Sequence, residues 1–199
     1  MKALLLVLAL ATPIFAQESN VHVSGVIGTN ANLGFANPMY GVSGGGDFRV
    51  SNKVVLSADG SVLRLKKNVG GSGYQVTAKE TVRVYLTRKA FVQAATRQWK
   101  YDVRDFGKSG IEIGGGGGFM WEGEDQAGVF AVNYLHNVYE VQRPSGVDSK
   151  QQIVDGELRF YFKKHIFLSP RVAVSRFKSG GTSMTGASFT LQIGLWKKL

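Results

Sequence analysis

The stretch 157–174, ELRFYFKKHIFLSPRVAV, limits what this chain can fold into more than any other. Two runs alternate strictly about a short basic turn. In the first, Leu158, Phe160 and Phe162 share one face, and Glu157, Arg159 and Tyr161 share the other. In the second, Ile166, Leu168, Pro170, Val172 and Val174 oppose Phe167, Ser169, Arg171, Ala173 and Ser175. A period of two belongs to strands whose faces meet different surroundings. Charges at mid-strand leave two choices. In a soluble sandwich the apolar face meets a second sheet; in a closed membrane barrel it meets lipid, and the charges pair inside.

The start of the chain sets the compartment. Lys2, an apolar run over 3–11 and Ile14-Phe15-Ala16 read as a secretory signal peptide, residues 1–16, removed after Ala16. Residues 17–199 then form one domain, since no Pro-rich or Ser-rich linker divides them. The run at 3–11 is too short to span a bilayer as a helix, and nothing later approaches ~18 consecutive apolar residues. Export without a membrane helix is the expectation. The chain has no cysteine, so rigidity has to come from elsewhere than disulfides. Its formal net charge of +10 falls to +9 (10 − 1) once Lys2 leaves. In an exported protein that excess suits lipopolysaccharide phosphates or an anionic surface, and no nucleic acid partner is expected. With 26 glycines and 4 prolines, strands and tight turns fit better than disordered linkers.

Ten candidate strands follow, at 21–29, 40–50, 54–65, 74–86, 90–101, 111–121, 127–141, 151–162, 166–177 and 187–196. Short turns (SNK, TRK, EGEDQ, KKH) alternate with longer loops (TNANLGFANPM, KKNVGGSG, DVRDFGKSG, QRPSGVDSK, KSGGTSMTG). Sorting of this kind marks an up-and-down transmembrane barrel, with short periplasmic turns, long outer loops and both termini in the periplasm. Five consecutive glycines at 114–118 have linker composition, yet Ile111, Ile113, Phe119 and Trp121 keep phase across them, so they read as strand. Leu63-Arg64-Leu65 breaks phase and suggests a bulge. Glu80 falls on an apolar face, which a bulge or a rim position would explain, and Pro170 implies the same for its own strand. The facing of 90–101 is open.

The inward faces so assigned carry Asp47, Asp59, Glu112, Asp155 and Glu157 against Arg49, Lys79, Arg83, Arg159 and Arg171. The signs balance, and buried charges persist when paired. A salt-bridged interior is expected, unlike an open porin. Tyr40, Phe119, Trp121, Phe162, Ile166-Phe167 and Trp196 are placed for interfacial girdles. Lys66, Lys67, Lys108, Arg143, Lys150 and Lys178 in the loops are candidate lipopolysaccharide contacts.

On GYQVTAKETVRVYLTRKAFVQAATRQWKYD, IEIGGGGGFMWEGEDQAGVFAVNYLHN and GASFTLQIGLW, the chain resembles the small bacterial outer-membrane β-barrel family, the group like the OmpA transmembrane domain. The resemblance covers most of 20–196. It implies an all-β antiparallel barrel in the outer membrane of a Gram-negative cell, assisted by barrel-assembly machinery during insertion. The family usually has eight strands and ends on an aromatic; here ten is the reading, eight the alternative, and Lys197-Lys198-Leu199 follow Trp196. The family shares a fold and no single activity.

Three histidines remain. His165 sits in a turn beside two lysines, and His22 opens a strand without an acidic neighbour. LHNVYEVQRPSGVDS faintly resembles lipid A deacylase barrels, which implies His136 as base and Asp148 or Glu140 as its acid. Val138 holds the nucleophile position, so the triad has nothing to activate. No metal or cofactor motif is present. The expected protein is a monomeric barrel of outer-membrane lipid, with a structural or surface-interaction role and no catalytic residue. The alternatives are a lipid A deacylase-like hydrolase and a soluble, lipocalin-like periplasmic carrier.

Overall fold

The alternating runs become one closed wall. In a computed structural model, which describes residues 19–32, 35–66, 72–103, 106–143, 150–163, 165–179 and 182–199, ten strands follow one another in chain order and the last pairs with the first. They are β1 (Asn20–Asn32), β2 (Phe35–Arg49), β3 (Val54–Lys66), β4 (Ser72–Tyr85), β5 (Ala90–Val103), β6 (Phe106–Glu122), β7 (Gln126–Arg143), β8 (Lys150–Phe162), β9 (Ile166–Ser179) and β10 (Thr182–Lys198). Every pairing is antiparallel. Closure removes both sheet edges, so backbone groups find partners around the ring. Ten strands stand, and the eight-strand alternative falls. The signal segment 1–16 lies outside the described residues.

Outward positions are mostly apolar at mid-wall: Val23 and Ile27 on β1, Val42 on β2, Val132 on β7, Val154 on β8, Val172 on β9 and Ile193 on β10 are all exposed. The connections after β2, β4, β6 and β8, the SNK, TRK, EGEDQ and KKH turns, gather at one rim, and the strand ends that carried the longer expected loops lie at the other. Strands reach farther toward the loop rim than alternation indicates. Asn32 pairs with Phe35 and Val103 with Phe106, so much of two expected loops is ladder. Beyond a lipid layer the two faces of a strand meet the same water, and the alternating signal disappears although the backbone pairing continues.

The run Gly114–Gly118 lies within β6 and is not a linker. A Cβ on Gly116 would collide with the Val132 carbonyl of β7, so the glycines permit close approach of two backbones.

Three expected irregularities are absent. Leu63, Arg64 and Leu65 keep unbroken register with both neighbours; the two leucines point inward into an apolar cluster with Val26 and Met39, against which Tyr101 packs. Apolar residues belong on the inside there, which imitated a change of phase. Glu80 likewise sits in unbroken register, opposite Ala58 and Thr96, outward and exposed. Pro170 shifts no register either, although it interrupts the ladder, as a residue without a backbone donor does: the β8–β9 partners run to Glu157↔Arg171 and resume at Phe160↔Leu168. The shift that does occur lies between Ile111 and Glu112, which face Tyr139 and Asn137 and leave Val138 extra on β7.

Inside, the wall is layered. The loop-rim cluster and a turn-rim cluster of Val55, Tyr85, Phe91, Met120, Val129 and Ala131 bracket a charged middle layer.

Candidate functional site

The middle layer is built mainly by β8, whose Asp155, Glu157, Arg159 and Tyr161 all point inward and are all buried. Arg159 is the hub. Its Nη2 stands 2.5 Å from Asp59 Oδ2 on β3, across the lumen, and its Nε is 2.7 Å from Glu157 Oε1. Nη1 lies 3.6 Å from Asp47 Oδ1 on β2. Lys79 of β4 reaches across to Asp155 at 2.8 Å and Glu157 at 3.4 Å. Arg171 of β9 clamps Asp155 with both Nε (2.6 Å) and Nη2 (2.7 Å), the two-point geometry that favours guanidinium over ammonium. Arg83 stands 3.3 Å from Asp47, which also accepts hydrogen bonds from Ser57 and Tyr161. Arg83 Nε donates to Gln93, and Gln93 donates in turn to Asn133.

Four carboxylates (Asp47, Asp59, Asp155, Glu157) therefore face four cations (Lys79, Arg83, Arg159, Arg171) within one connected set. Such groups bear burial because each charge has an opposite partner. Between them lies a void of about 10 Å³, lined in part by Lys79, Arg83, Gln93, Glu157 and Arg159. That is room for roughly one water molecule.

Two of the residues assigned to this set from sequence stand apart from it. Glu112 pairs with Arg97 Nε of β5 at 2.6 Å. Arg49 leaves the interior for the turn at the end of β2, where Nη2 donates to Asn52 Oδ1 at 2.5 Å. Position 49 is the last of its strand, so its long side chain finds the turn more readily than the lumen. The balance survives because Arg97, unassigned from sequence, takes the place given to Arg49. A signal for Arg97 existed. Tyr85 and Phe91 are partners across the TRK turn, so the inward Tyr85 fixes Phe91, Gln93, Ala95 and Arg97 as inward.

His22 does have an acidic neighbour. Its buried Nε2 is 3.3 Å from Asp59 Oδ1, and its ring stacks on Phe167 with centroids 4.3 Å apart. β2 separates the two strands, but the residue between them is Gly45, paired to both. With no side chain there, the two groups meet over it.

Phe167 and Trp196 are not girdle residues. Phe167 is fully buried, and both rings pack on the inward Tyr161 at 5.4 Å. Together they fill the lumen at the turn rim. Tyr40 and Phe119 do face outward, as does Ile166.

The basic residues divide. Lys66, Lys150 and Lys178 are exposed near the loop rim, and Lys150 and Lys178 are register partners. Lys108 turns inward instead, 2.8 Å from Glu140 and over the rings of Trp99 and Phe177. Lys67 lies outside the described residues, as does the side chain of Arg143.

Among the described residues the deacylase arrangement is not assembled. His136 is outward and exposed, whereas Glu140 accepts from Asn137 and pairs with the inward Lys108. Val138 lies between them as the extra residue of the register shift. Asp148 lies outside the described residues. His165 is exposed, with φ at 62°, in the turn before β9. Among the described residues no group of His, Asp or Glu is arranged to hold a metal.

No protein-family model and no curated protein sequence matches the chain. Solved structures do. The outer membrane protease OmpT of Escherichia coli superposes with a TM-score of 0.52 at 10% identity, over 96% of this chain and 99% of that one. The chain has the outer-membrane β-barrel fold. The translocator domain of the autotransporter NalP from Neisseria meningitidis is also similar, at TM-score 0.48, 11% identity, 98% of this chain and 92% of that one. At these identities the likeness is one of architecture. The barrel's role therefore has to be read from its own side chains, and the densest chemistry they make is the charged layer across the lumen.

Proposed function

We propose that the protein stands in the outer membrane as a closed, non-conducting and non-catalytic barrel with a structural and surface-interaction role. The loop rim faces outward, the turn rim faces the periplasm, and barrel-assembly machinery inserts it. The observation that carries this reading is the pair of cross-lumen struts, Arg159 to Asp59 and Lys79 to Asp155. They occupy the bore where a porin keeps its water column. A lipocalin-like carrier needs an apolar chamber, and the void within this layer is polar and about 10 Å³. A hydrolase needs a nucleophile beside its base, and His136 faces away from Glu140.

Surface interaction falls to the loop rim. Lys150 and Lys178 present like charges opposite each other on the outer wall. Like charges so placed repel unless an anion sits between them, and a lipopolysaccharide phosphate at that height supplies one.

Planar-bilayer recording of the refolded protein tests the closed bore. Wild type is expected to give no porin-like steps, and the Lys79→Ala, Arg159→Ala double variant is expected to leak. A steady, large conductance of the wild type would overturn the reading. A heat-dependent mobility shift and detergent-only extraction test membrane residence separately.

A further inference from the structure

Among the described residues, Glu80 is the outward position near mid-wall that carries a charge. It lies eight residues from the loop-rim end of β4 and five from the turn-rim end (80 − 72 and 85 − 80), with its side chain outward. Among the described residues no cation pairs with it; its hydrogen-bond partner is the Thr96 hydroxyl, at 3.4 Å. A carboxyl facing acyl chains is costly, and an ionisable residue within a membrane marks a functional contact whose partner has to be identified.

The wall around Glu80 is unlike the rest of the belt. The outward residues next to it across the ladder are Ala58 and Thr96, and Ala78 precedes it on the same face. Gly60 pairs with Ala78 and Gly44 with Gly60 on one side; Ala94 pairs with Gly115 on the other. On the four adjacent strands β2 to β5 the outer face beside Glu80 is mostly small, with Gly44, Ala58, Gly60, Ala78 and Ala94; bulk returns above and below at Val62, Val76 and Val82, and beside Thr96 at Ile113 of β6. Three strand spacings make this low ground about 14 Å wide. Small side chains let another surface approach the backbone closely, and polar groups then hydrogen-bond across the contact.

We infer that this face, centred between Glu80 of β4 and Thr96 of β5, is the interface of a homodimer in the membrane. The occupant is a second copy because the patch complements itself. It carries an acceptor, Glu80, and two donors on β5, the Thr96 hydroxyl and the Gln98 amide, all outward. A two-fold axis along the membrane normal sets residues of similar depth opposite one another. The Glu80 carboxyl of each copy then meets Thr96 and Gln98 of the other, twice over, as an isologous contact requires. A pair replaces the single copy that sequence alone suggests. This rests on the outer wall facing lipid, which the mobility-shift and extraction controls test independently.

The chain has no cysteine, so a single introduced one reports contact. In native outer membranes of cells making the full chain, Ala94→Cys is expected to give a disulfide-linked band of twice the chain mass on mild oxidation. Val172→Cys, on the opposite wall, is expected to give none. Adding Glu80→Val to Ala94→Cys is expected to lower the linked fraction at least fivefold, and Glu80→Gln, which keeps an acceptor, to retain it. Each variant is checked for the heat shift of a folded barrel. Absence of the doubled band from folded Ala94→Cys overturns the inference. Equal linkage at Val172→Cys, no response to Glu80→Val, or a linked band of another mass, meaning a different protein or a membrane helix on this face, does so as well.

Discussion

His22 and Asp59 sit on strands that are not neighbours, yet their side chains come within 3.3 Å. The contact exists because Gly45, on the strand between them, leaves the space empty. A Cβ built on Gly45 would overlap Asp59 Oδ1 and the Ala58 carbonyl. Gly45→Val is therefore expected to push Asp59 off both His22 and Arg159, at a cost of about 1–3 kcal/mol, typical of overpacking. The readout is the urea midpoint of the folded barrel in lipid vesicles, followed by tryptophan fluorescence. An unchanged midpoint would show that the glycine is incidental.

Arg97 and Glu112 form a pair detached from the main network, which makes them the cleanest place to measure the worth of an interior charge. Removing one partner leaves the other buried alone, and Arg97→Met is expected to destabilise by about 3–5 kcal/mol. Arg97→Met with Glu112→Leu removes both charges and is expected to recover most of that loss, because an apolar pair of similar volume needs no counter-ion. If the double variant is as unstable as the single one, hydrogen bonding and not charge pairing is what matters at that position.

Lys150 and Lys178 give the third expectation. Lys150→Gln with Lys178→Gln is expected to weaken binding of the barrel to lipopolysaccharide vesicles, with a shallower dependence on salt than wild type, and to leave binding to neutral phospholipid vesicles unchanged. Equal loss in both vesicle types would mean a folding defect, and no loss in either would remove the phosphate contact.

The fold was legible because an apolar outer face and a packed, charged lumen impose two chemistries on alternate residues. Where both hold, as along β8 and β9, every facing could be assigned from the alternation. Where one lapses, the pattern becomes ambiguous. Leu63 and Leu65 point into an apolar part of the lumen and so imitate outward residues. β5 carries Ala94, Thr96 and Gln98 on its outer face, which hid Arg97 on its inner one. The contact of His22 with Asp59 was invisible for another reason: it depends on how three strands align, and alternation within one strand carries no register. The same holds for Val138, whose extra place in β7 shows only against β6.

The seam between β1 and β10 carries one more consequence. The Leu199 amide donates to the Ser19 carbonyl at 2.9 Å, so the ring closes on residues at opposite ends of the described chain. Each remaining pair of strands is joined by a few residues and can zip locally, whereas this one has to overcome the largest loop-closure entropy in the molecule. Sealing the cylinder is then expected to be the late event of refolding, with the β1–β10 ladder the last of the ten to close.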